Sequence, residues 1–577
     1  MSAFGKCRGV AALKIRGAPT APPHAAAEYA GGELDAVKVL GAYVGKAEAC
    51  STKLVARVEK HLKPLEQMVK LRDTSKVKVA MQVQLEINRF CANTQLNYFL
   101  RTMPLAATAA AQARHDQLIW RAAQQVVGMR HASVGERERA CAQMRLPVKM
   151  GGMGVTSMVA IAPAARVGSW ALCWRPLQRL CPRLFGDIDI TESAAPSLVE
   201  LRGVHAELME QWRRVQGVYG DIDQRVFDYD KEGESHMCFH PQHLPARHQL
   251  VTVAEFASES DYLQNAQRTW SQIVHHSAWV RLAQRMRQVS LREAVRFLSV
   301  SQPHAGDFLN AVPKRAVFRI NTWALRIAVQ RRLGLPLTAA AVGGEGRSKH
   351  GHVFDMMGDL AANDGQAGCQ TRHYEVLSEL VRVLKTVWGA RVEYEPKAYR
   401  DYSDTRPDLT IQGAGAGGGL YVGDTKIFDS VGSRPEAVGA RGAYVAFGNT
   451  MPAARDAVLG RAERGEQGTR FDPRSGAGHV AAIEGAYARA LALGVEVQPL
   501  LFEVWGGWSP AVVELMRVTA QERGNKLTRN EYDQATWATR SWHTFGAQRV
   551  SCALARAMAY AVARELELTT ARDPRAD

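Results

Sequence analysis

Three residues whose types suit phosphate chemistry lie in the segment RPDLTIQGAGAGGGLYVGDTKIF, residues 406–428: Asp408, Asp424 and Lys426. Apolar residues surround each of them, and a glycine-rich stretch separates the two aspartates, which stand 16 positions apart. The pattern predicts two strands joined by a hairpin that returns Asp424 to lie beside Asp408. Side chains two apart on a strand share a face, so Asp424 and Lys426 point the same way. Two adjacent carboxylates repel, and a divalent cation between them relieves the repulsion. All-oxygen ligands favour Mg²⁺, or Mn²⁺ in its place.

Such a centre suits hydrolysis of a phosphodiester. Asp408 and Asp424 are the expected metal ligands, and Lys426 is expected to stabilise the negative charge that develops on the phosphoryl group or to help orient the attacking water. A further acid is expected from the helix predicted over Arg372–Gly389. Glu375 and Glu379 both stand on it, one turn apart, and Glu375 is preferred. Pro-Asp is often a plain turn and Asp-x-Lys a plain surface pair, so these strings gain weight only from context. That context is an acid-bearing helix ahead of the hairpin, apolar strands around both acids and a basic segment elsewhere in the chain.

The elements around the site alternate. Strands are predicted at RVEYEP, DLTIQG, GLYVGDTKIF and VQPLLFEVWG, and helices around Pro510–Thr519 and Ser551–Glu567. Helix, strands and helix together predict an α/β domain over residues 346–577. Upstream the chain reads differently. Leu54, Val58, Leu62 and Leu65 recur at helical spacing, and Val77, Met81, Leu85 and Ile87 start a second stripe bounded by Pro104. DAVKVLGAYVG, residues 35–45, and VAALKI, residues 10–15, read as strands. A helix is expected from Ala160 to about Leu180. Residues 186–345 read as polar helices with irregular joins.

The protein has 577 residues, too many for one ordinary core, and 46% of them are hydrophobic, the proportion of a soluble globular chain. No apolar run approaches the length of a membrane span, so no membrane partner is expected. The net charge is +16. Residues 51–150 carry 17 Lys/Arg against 7 Asp/Glu, so this segment alone supplies +10 of the excess. A localised basic excess fits a nucleic-acid partner, with a solvated basic face as the plainer alternative. Lys63, Lys70, Arg72, Lys76, Lys78 and Arg101 are the candidate contacts. The nine cysteines form no CxxC pair, which argues against a disulfide framework and a zinc ribbon. Cys238, His240, His243 and His248 have zinc-binding residue types, but two prolines interrupt their spacing, and zinc is not the expected cofactor.

Taken in order, these strings resemble the C-terminal portion of non-LTR retrotransposon proteins that carry a restriction-like endonuclease of the PD-(D/E)xK type. FGKC, residues 4–7, is similar to the end of a reverse-transcriptase palm. VKVLGAYVG, residues 37–45, is similar to the primer-grip turn. QLNYFLRTMP and RLPVKMGGMGV resemble the thumb, and SQPHAGDFLNAVP and LRIAVQRRLGLPL the linker. Arg372-His373, Pro407-Asp408, DTK and FEVWGGWSP resemble successive parts of the endonuclease. The resemblance implies a palm remnant over residues 1–50, a basic helical thumb over 51–185, a helical linker over 186–345 and the nuclease over 346–577. It implies auxiliary roles for Arg372, His373 and Tyr487, DNA as substrate, RNA as a second partner, and a nuclear location.

The first 27 residues contain no acid, as in a transit peptide. The resemblance instead makes them the interior of a longer reading frame. No Tyr-x-Asp-Asp string is present, so no polymerase activity is expected. Where the family has a zinc knuckle, residues 349–369 place Leu360 and Asp364 at expected His and Cys positions and leave His350, His352 and Cys369. The lysines that the family often has near Tyr487 have no neighbouring counterpart. The alternative reading is a decayed retroelement fragment that binds RNA or DNA without catalysis.

Overall fold

The computed structural model describes residues 36–74, 80–129, 131–226, 244–258, 260–337, 351, 353–363, 366–397, 405–431, 451, 453–469, 478–535 and 539–566. It is mostly helical, with a small mixed sheet near the C-terminal end. The longer helices are α1 (Ala47–Thr74), α2 (Leu105–Val127), α3 (Val134–Met144), α4 (Met158–Leu180), α5 (Pro196–Val226), α6 (Tyr262–Val289), α7 (Leu291–Val300), α8 (Thr322–Leu333), α9 (Gln366–Trp388), α10 (Pro510–Glu522) and α11 (Trp542–Glu565). None of the described helices is long and apolar enough to cross a membrane.

The expected stripe Leu54, Val58, Leu62 and Leu65 is the buried face of α1, which packs on α2. The second stripe is less regular. Met81 and Leu85 are buried in a short helix, which widens into a π-helix at Ile87–Ala92. Residues 36–45 do not form the single strand expected over 35–45. They form a hairpin, β1 (Ala36–Val39) and β2 (Ala42–Gly45), around a two-residue turn with positive φ at Leu40 and Gly41. Two left-handed residues in succession make the tight turn whose twist matches that of paired strands. The Tyr98 hydroxyl donates to the Leu40 carbonyl and braces the turn. The strand expected at residues 10–15 lies outside the described residues.

The four expected C-terminal strands are present as β3 (Val392–Tyr394), β4 (Leu409–Gln412), β5 (Leu420–Phe428) and β6 (Gln498–Glu503). They form one sheet in that order. β3, β4 and β5 are antiparallel neighbours, and β6 runs parallel to β5. Leu409, Ile411, Leu500 and Phe502 share the main core with α9, α10 and α11. Val422 instead joins a small cluster with Val458, Tyr487, Ala490 and Val497.

The apolar cores do not divide at the expected domain boundaries. The boundary at 185/186 cuts a cluster in which Trp174 of α4 packs with Trp212 of α5 and Trp270 of α6. The boundary at 345/346 falls between helices that share one core, since α7 and α8 pack into the same cluster as α9 and α11. The segment 307–319 lies along α11. The Phe308 N–H donates to Ser551 (3.0 Å), and Arg556 donates to the carbonyls of Val317 (3.0 Å) and Arg319 (3.1 Å).

The thumb-like, linker-like and nuclease-like strings meet at one junction. The buried Arg332 guanidinium of α8 donates to the carbonyls of Val148 (2.9 Å), Gly152 (3.1 Å) and Ala305 (2.8 Å). The His304 ring stacks on Trp508 with 4.2 Å between centroids. A Cβ at Gly506 would meet the Ala305 carbonyl oxygen at 2.8 Å, so only glycine fits this approach. Nearby, Asp359 is fully buried and pairs with Arg292 and with Arg331 (3.4 Å). Burial alone would raise the Asp359 carboxyl. The guanidiniums, Arg292 foremost, outweigh it and hold the group below the usual carboxylate range.

A depressed carboxyl contributes stability that is present above its unfolded value and is lost as pH falls through the folded one. Asp359→Ala takes the carboxylate from Arg331 and leaves Arg292 with Glu293 alone among the described residues, and is expected to cost about 3–5 kcal/mol. Urea denaturation at neutral pH, followed by tryptophan fluorescence, measures this. A loss under ~1 kcal/mol would show that the pairs are unimportant.

Candidate active site

The acid pair is built by the β4–β5 hairpin. Leu409 opposes Gly423, and the Asp408 N–H donates to the Gly423 carbonyl (3.1 Å), so Asp408 comes to Asp424 at the next rung. The glycine-rich turn closes the hairpin with bonds from the N–H groups of Gly413 (3.0 Å) and Gly415 (2.9 Å) to the Gly419 carbonyl. Positive φ at Gly413, Gly417 and Gly418 requires the residue type found there.

Each carboxylate is held by a different donor. Asp408 Oδ2 accepts from the Thr425 N–H at 2.6 Å, and Oδ1 faces His373 Nε2 at 3.3 Å. Asp424 Oδ1 accepts from the Tyr487 hydroxyl at 2.8 Å. Asp424 Oδ2 is buried and lacks a hydrogen bond. Lys426 Nζ stands 3.4 Å away, in an ion pair without hydrogen-bond alignment. Asp424 itself is only 3% exposed, whereas the Lys426 side chain is 44% exposed and within reach of a ligand.

The electrostatics follow from this packing. Burial is the largest influence on Asp424 and raises its carboxyl. Lys426 and the Tyr487 hydroxyl pull it down, Asp408 pushes it up, and the net shift is upward. Burial and the neighbouring Asp424 charge raise the Tyr487 phenol strongly, so it remains a proton donor. A buried carboxylate with one open oxygen, beside a second carboxylate, fits a divalent cation. Mg²⁺ commonly takes one or two protein carboxylates and completes its shell with water and phosphate oxygens. Among the described residues, no group of three or more His, Cys, Asp or Glu side chains is gathered for a metal.

The structure thus brings together Asp408, Asp424, Lys426, His373 and Tyr487. Glu375, expected as a further catalytic acid, is not among them. It stands two positions after His373, about 200° around the helix, and is exposed. Burial of part of its side chain raises its carboxyl, Arg556 of α11 opposes this, and neither aspartate acts on it. The reason is packing. Val376, Leu377, Leu380, Val383 and Leu384 are buried and fix the rotation of α9. His373 lies near the Leu377 side of the helix, and Glu375 does not. Glu379 is taken by Arg549 (2.7 Å) and Arg382 (3.4 Å).

Arg372 also lies apart from the acid pair. Its buried guanidinium donates to the Ala362 carbonyl (2.9 Å) and to the sulfurs of Cys369 and Met558, tying α9 to its neighbours. Among the basic candidates, Lys63 and Arg101 are exposed, and Lys70 and Arg72 lie in the last turns of α1. Lys76 and Lys78 lie outside the described residues, as do Cys238, His240, His243, His350 and His352. His248 packs edge-on against Tyr262.

The sequence reading missed two features. One is the Thr425 N–H, a main-chain donor that no side-chain pattern reveals. The other is Glu503 on β6. It is buried, accepts from the Trp505 N–H (3.0 Å), and burial pushes it well above the usual carboxylate range. A lone acid inside the apolar run LLFEVW was its signal. Comparison of the chain with family models, curated proteins and solved structures finds no match.

A raised carboxyl destabilises the metal-free fold as pH rises. The unfolded chain releases the Asp424 proton near its ordinary value of 3.8, and the folded chain releases it only at higher pH. The deficit grows across that interval and is complete above the folded value. Asp424→Asn keeps the acceptor for Tyr487 and removes the charge. In EDTA its melting temperature is expected to exceed the parent's at pH 8 and to converge with it near pH 4. A variant less stable than the parent at both pH values would refute the account.

Proposed function

We propose that this protein is a metal-dependent endonuclease that hydrolyses DNA phosphodiester bonds, of the restriction-like PD-(D/E)xK type found in non-LTR retrotransposon proteins. The observation that carries the reading is the Asp408–Asp424 pair, with one buried carboxylate oxygen open and Lys426 two residues further along the strand. The order of elements supports it. A helix precedes three antiparallel strands, one acid immediately precedes the second and the other lies on the third, and the fourth strand returns parallel to the third. The basic surface of residues 51–150 supplies the attraction for DNA and RNA, and the nucleus is where chromosomal DNA is met.

Asp408 and Asp424 would hold the cation, which when bound supplies positive charge to the phosphate and a more acidic water. The remaining work belongs to side chains. The Thr425 N–H and His373 orient Asp408, and the Tyr487 hydroxyl orients Asp424. Lys426 has an exposed ammonium and stabilises the charge that builds on the nonbridging phosphate oxygens. One observation favours the rival reading, binding without catalysis. With Glu375 turned away, two carboxylates and no third acid face the site among the described residues.

The test uses the full chain, because α7 and α8 share the core of the sheet domain. With supercoiled plasmid and Mg²⁺, the parent is expected to nick DNA, and Asp408→Asn and Asp424→Asn to show no nicking. Lys426→Met is expected to lose about 10²–10³-fold, and Tyr487→Phe about 10–100-fold. Glu375→Gln is expected to match the parent. An inert parent that still shifts DNA in a salt-dependent manner would establish the rival reading instead.

A further inference from the structure

Beside the acid pair stands a cation to which the proposed hydrolysis assigns no role. Arg406 lies two residues before Asp408, and its side chain is 33% exposed. Its guanidinium is bound to Glu395 through Nη2. Among the described residues it makes no other hydrogen bond or ion pair, so most of its five donors are open. Pro407, between Arg406 and Asp408, fixes its own φ and restricts the residue before it. The Arg406 backbone is therefore held firmly relative to Asp408.

The sheet register gives this cation a level. Leu409 opposes Gly423 on β5 and Tyr394 on β3. One residue on, Glu395, Asp408 and Asp424 share a level, and the Glu395 N–H donates to the Asp408 carbonyl at 2.8 Å. The chains on either side of this pair run antiparallel, so Arg406, two before Asp408, and Lys426, two after Asp424, both lie toward the same end of the sheet. Lys397, two residues beyond Glu395 where the chain leaves β3, is exposed as well. A row of acids is thus bordered by cations on one side. Lys426 leans toward Asp424 at 3.4 Å, whereas Arg406 is drawn toward β3 by Glu395. The two cations are spread across the sheet, an arrangement that suits two successive phosphates of one strand better than a single phosphate.

The backbone of Glu395 supports the same assignment. Its φ is positive (47°), a conformation that crowds a Cβ against the following carbonyl. A partly exposed ion pair offsets little of that, and the Glu395 side chain is 24% exposed. Strained residues that persist beside a reaction centre commonly serve it. Here the strain secures the direction of Arg406.

We propose that Arg406, oriented by Glu395, binds the phosphate next to the scissile one on the cut strand. The planar fork of a guanidinium takes a phosphate through two donors while a third stays on Glu395. The contact is made alike before and during bond breaking, so it governs affinity and not the chemical step. This rests on the nuclease reading for which phosphate is cut, while the contact itself is tested by binding alone.

The full chain, held in EDTA so that nothing is cut, is titrated into a labelled DNA duplex of mixed sequence, and fluorescence anisotropy is read over a series of salt concentrations. Arg406→Met is expected to bind about 10-fold less tightly and to lower the slope of log affinity against log salt by about one, the signature of one lost phosphate contact. Arg406→Lys is expected to keep the parent's slope. Glu395→Gln retains the cation and removes its counter-charge, and is expected to bind at least as tightly as the parent. A purely structural ion pair predicts otherwise: loss of either partner would weaken binding alike, in step with a lowered melting temperature. In Mg²⁺, Arg406→Met is expected to raise KM for nicking and to leave kcat near the parent's. An unchanged slope in Arg406→Met, or a loss in Glu395→Gln as large as in Arg406→Met, would overturn the proposal. Nicking by the parent together with an unchanged slope leaves the nuclease and removes the contact. A lowered slope in a chain that never nicks does the reverse.

Discussion

The burial of Asp424 beside a second carboxylate is the constraint on which the site depends. Antiparallel pairing sets the two carboxyls on one rung, and burial removes the water that would screen them. Left alone, such a pair drives one member toward its neutral form. The protein answers with fixed donors, a main-chain N–H and an imidazole for one acid and a phenol for the other, and with the Lys426 ammonium in an ion pair to the second. These donors hold the geometry but do not cancel the charge. The cation proposed for this site would relieve what the donors leave uncancelled. The sheet, the glycine turn and helix α9 serve to hold that geometry in place.

Much of this was legible in the chain. Asp-x-Lys at spacing two, apolar flanks and a glycine-rich separator were enough to foresee the hairpin and the shared face of Asp424 and Lys426. The four strands were legible for the same reason, since alternation and short apolar runs are local signals. Helix rotation was not. Glu375 and Glu379 qualified by residue type, and only the burial of Val376, Leu377 and Leu380 decides that their side of α9 turns away from Asp408. Tyr487 and His373 were reached through the family resemblance, because no local spacing links them to acids 63 and 35 residues away. The segment 35–45 read as one strand, while its resemblance to a primer-grip turn pointed to the bend that Leu40 and Gly41 make. The left-handed backbone of Leu40 is set by pairing and by the Tyr98 hydroxyl.

Domain limits were the least legible feature, for a physical reason. The limits at residues 185 and 345 came from the family resemblance, and the apolar clusters run across them. A buried guanidinium with three carbonyl partners, a glycine with no room for a Cβ, and a fully buried aspartate between arginines join what the sequence divides. Each contact is costly to break in isolation. The helices ahead of the sheet are therefore part of its foundation, and a ligand that orders one side of the junction has a rigid path to the other.

The two halves of the acid pair rest on cores of unequal size. Asp408 is steadied by His373 of α9, a helix embedded in the large core. Asp424 is steadied by Tyr487, which among the described residues sits in a cluster of five buried side chains on the opposite face of the sheet. Local opening follows local contact density. Amide protons around Val458 and Tyr487 should thus exchange with solvent well before those of α9 or β4. Such an opening releases the phenol from Asp424 while Asp408 stays in place, so the site loosens from one side.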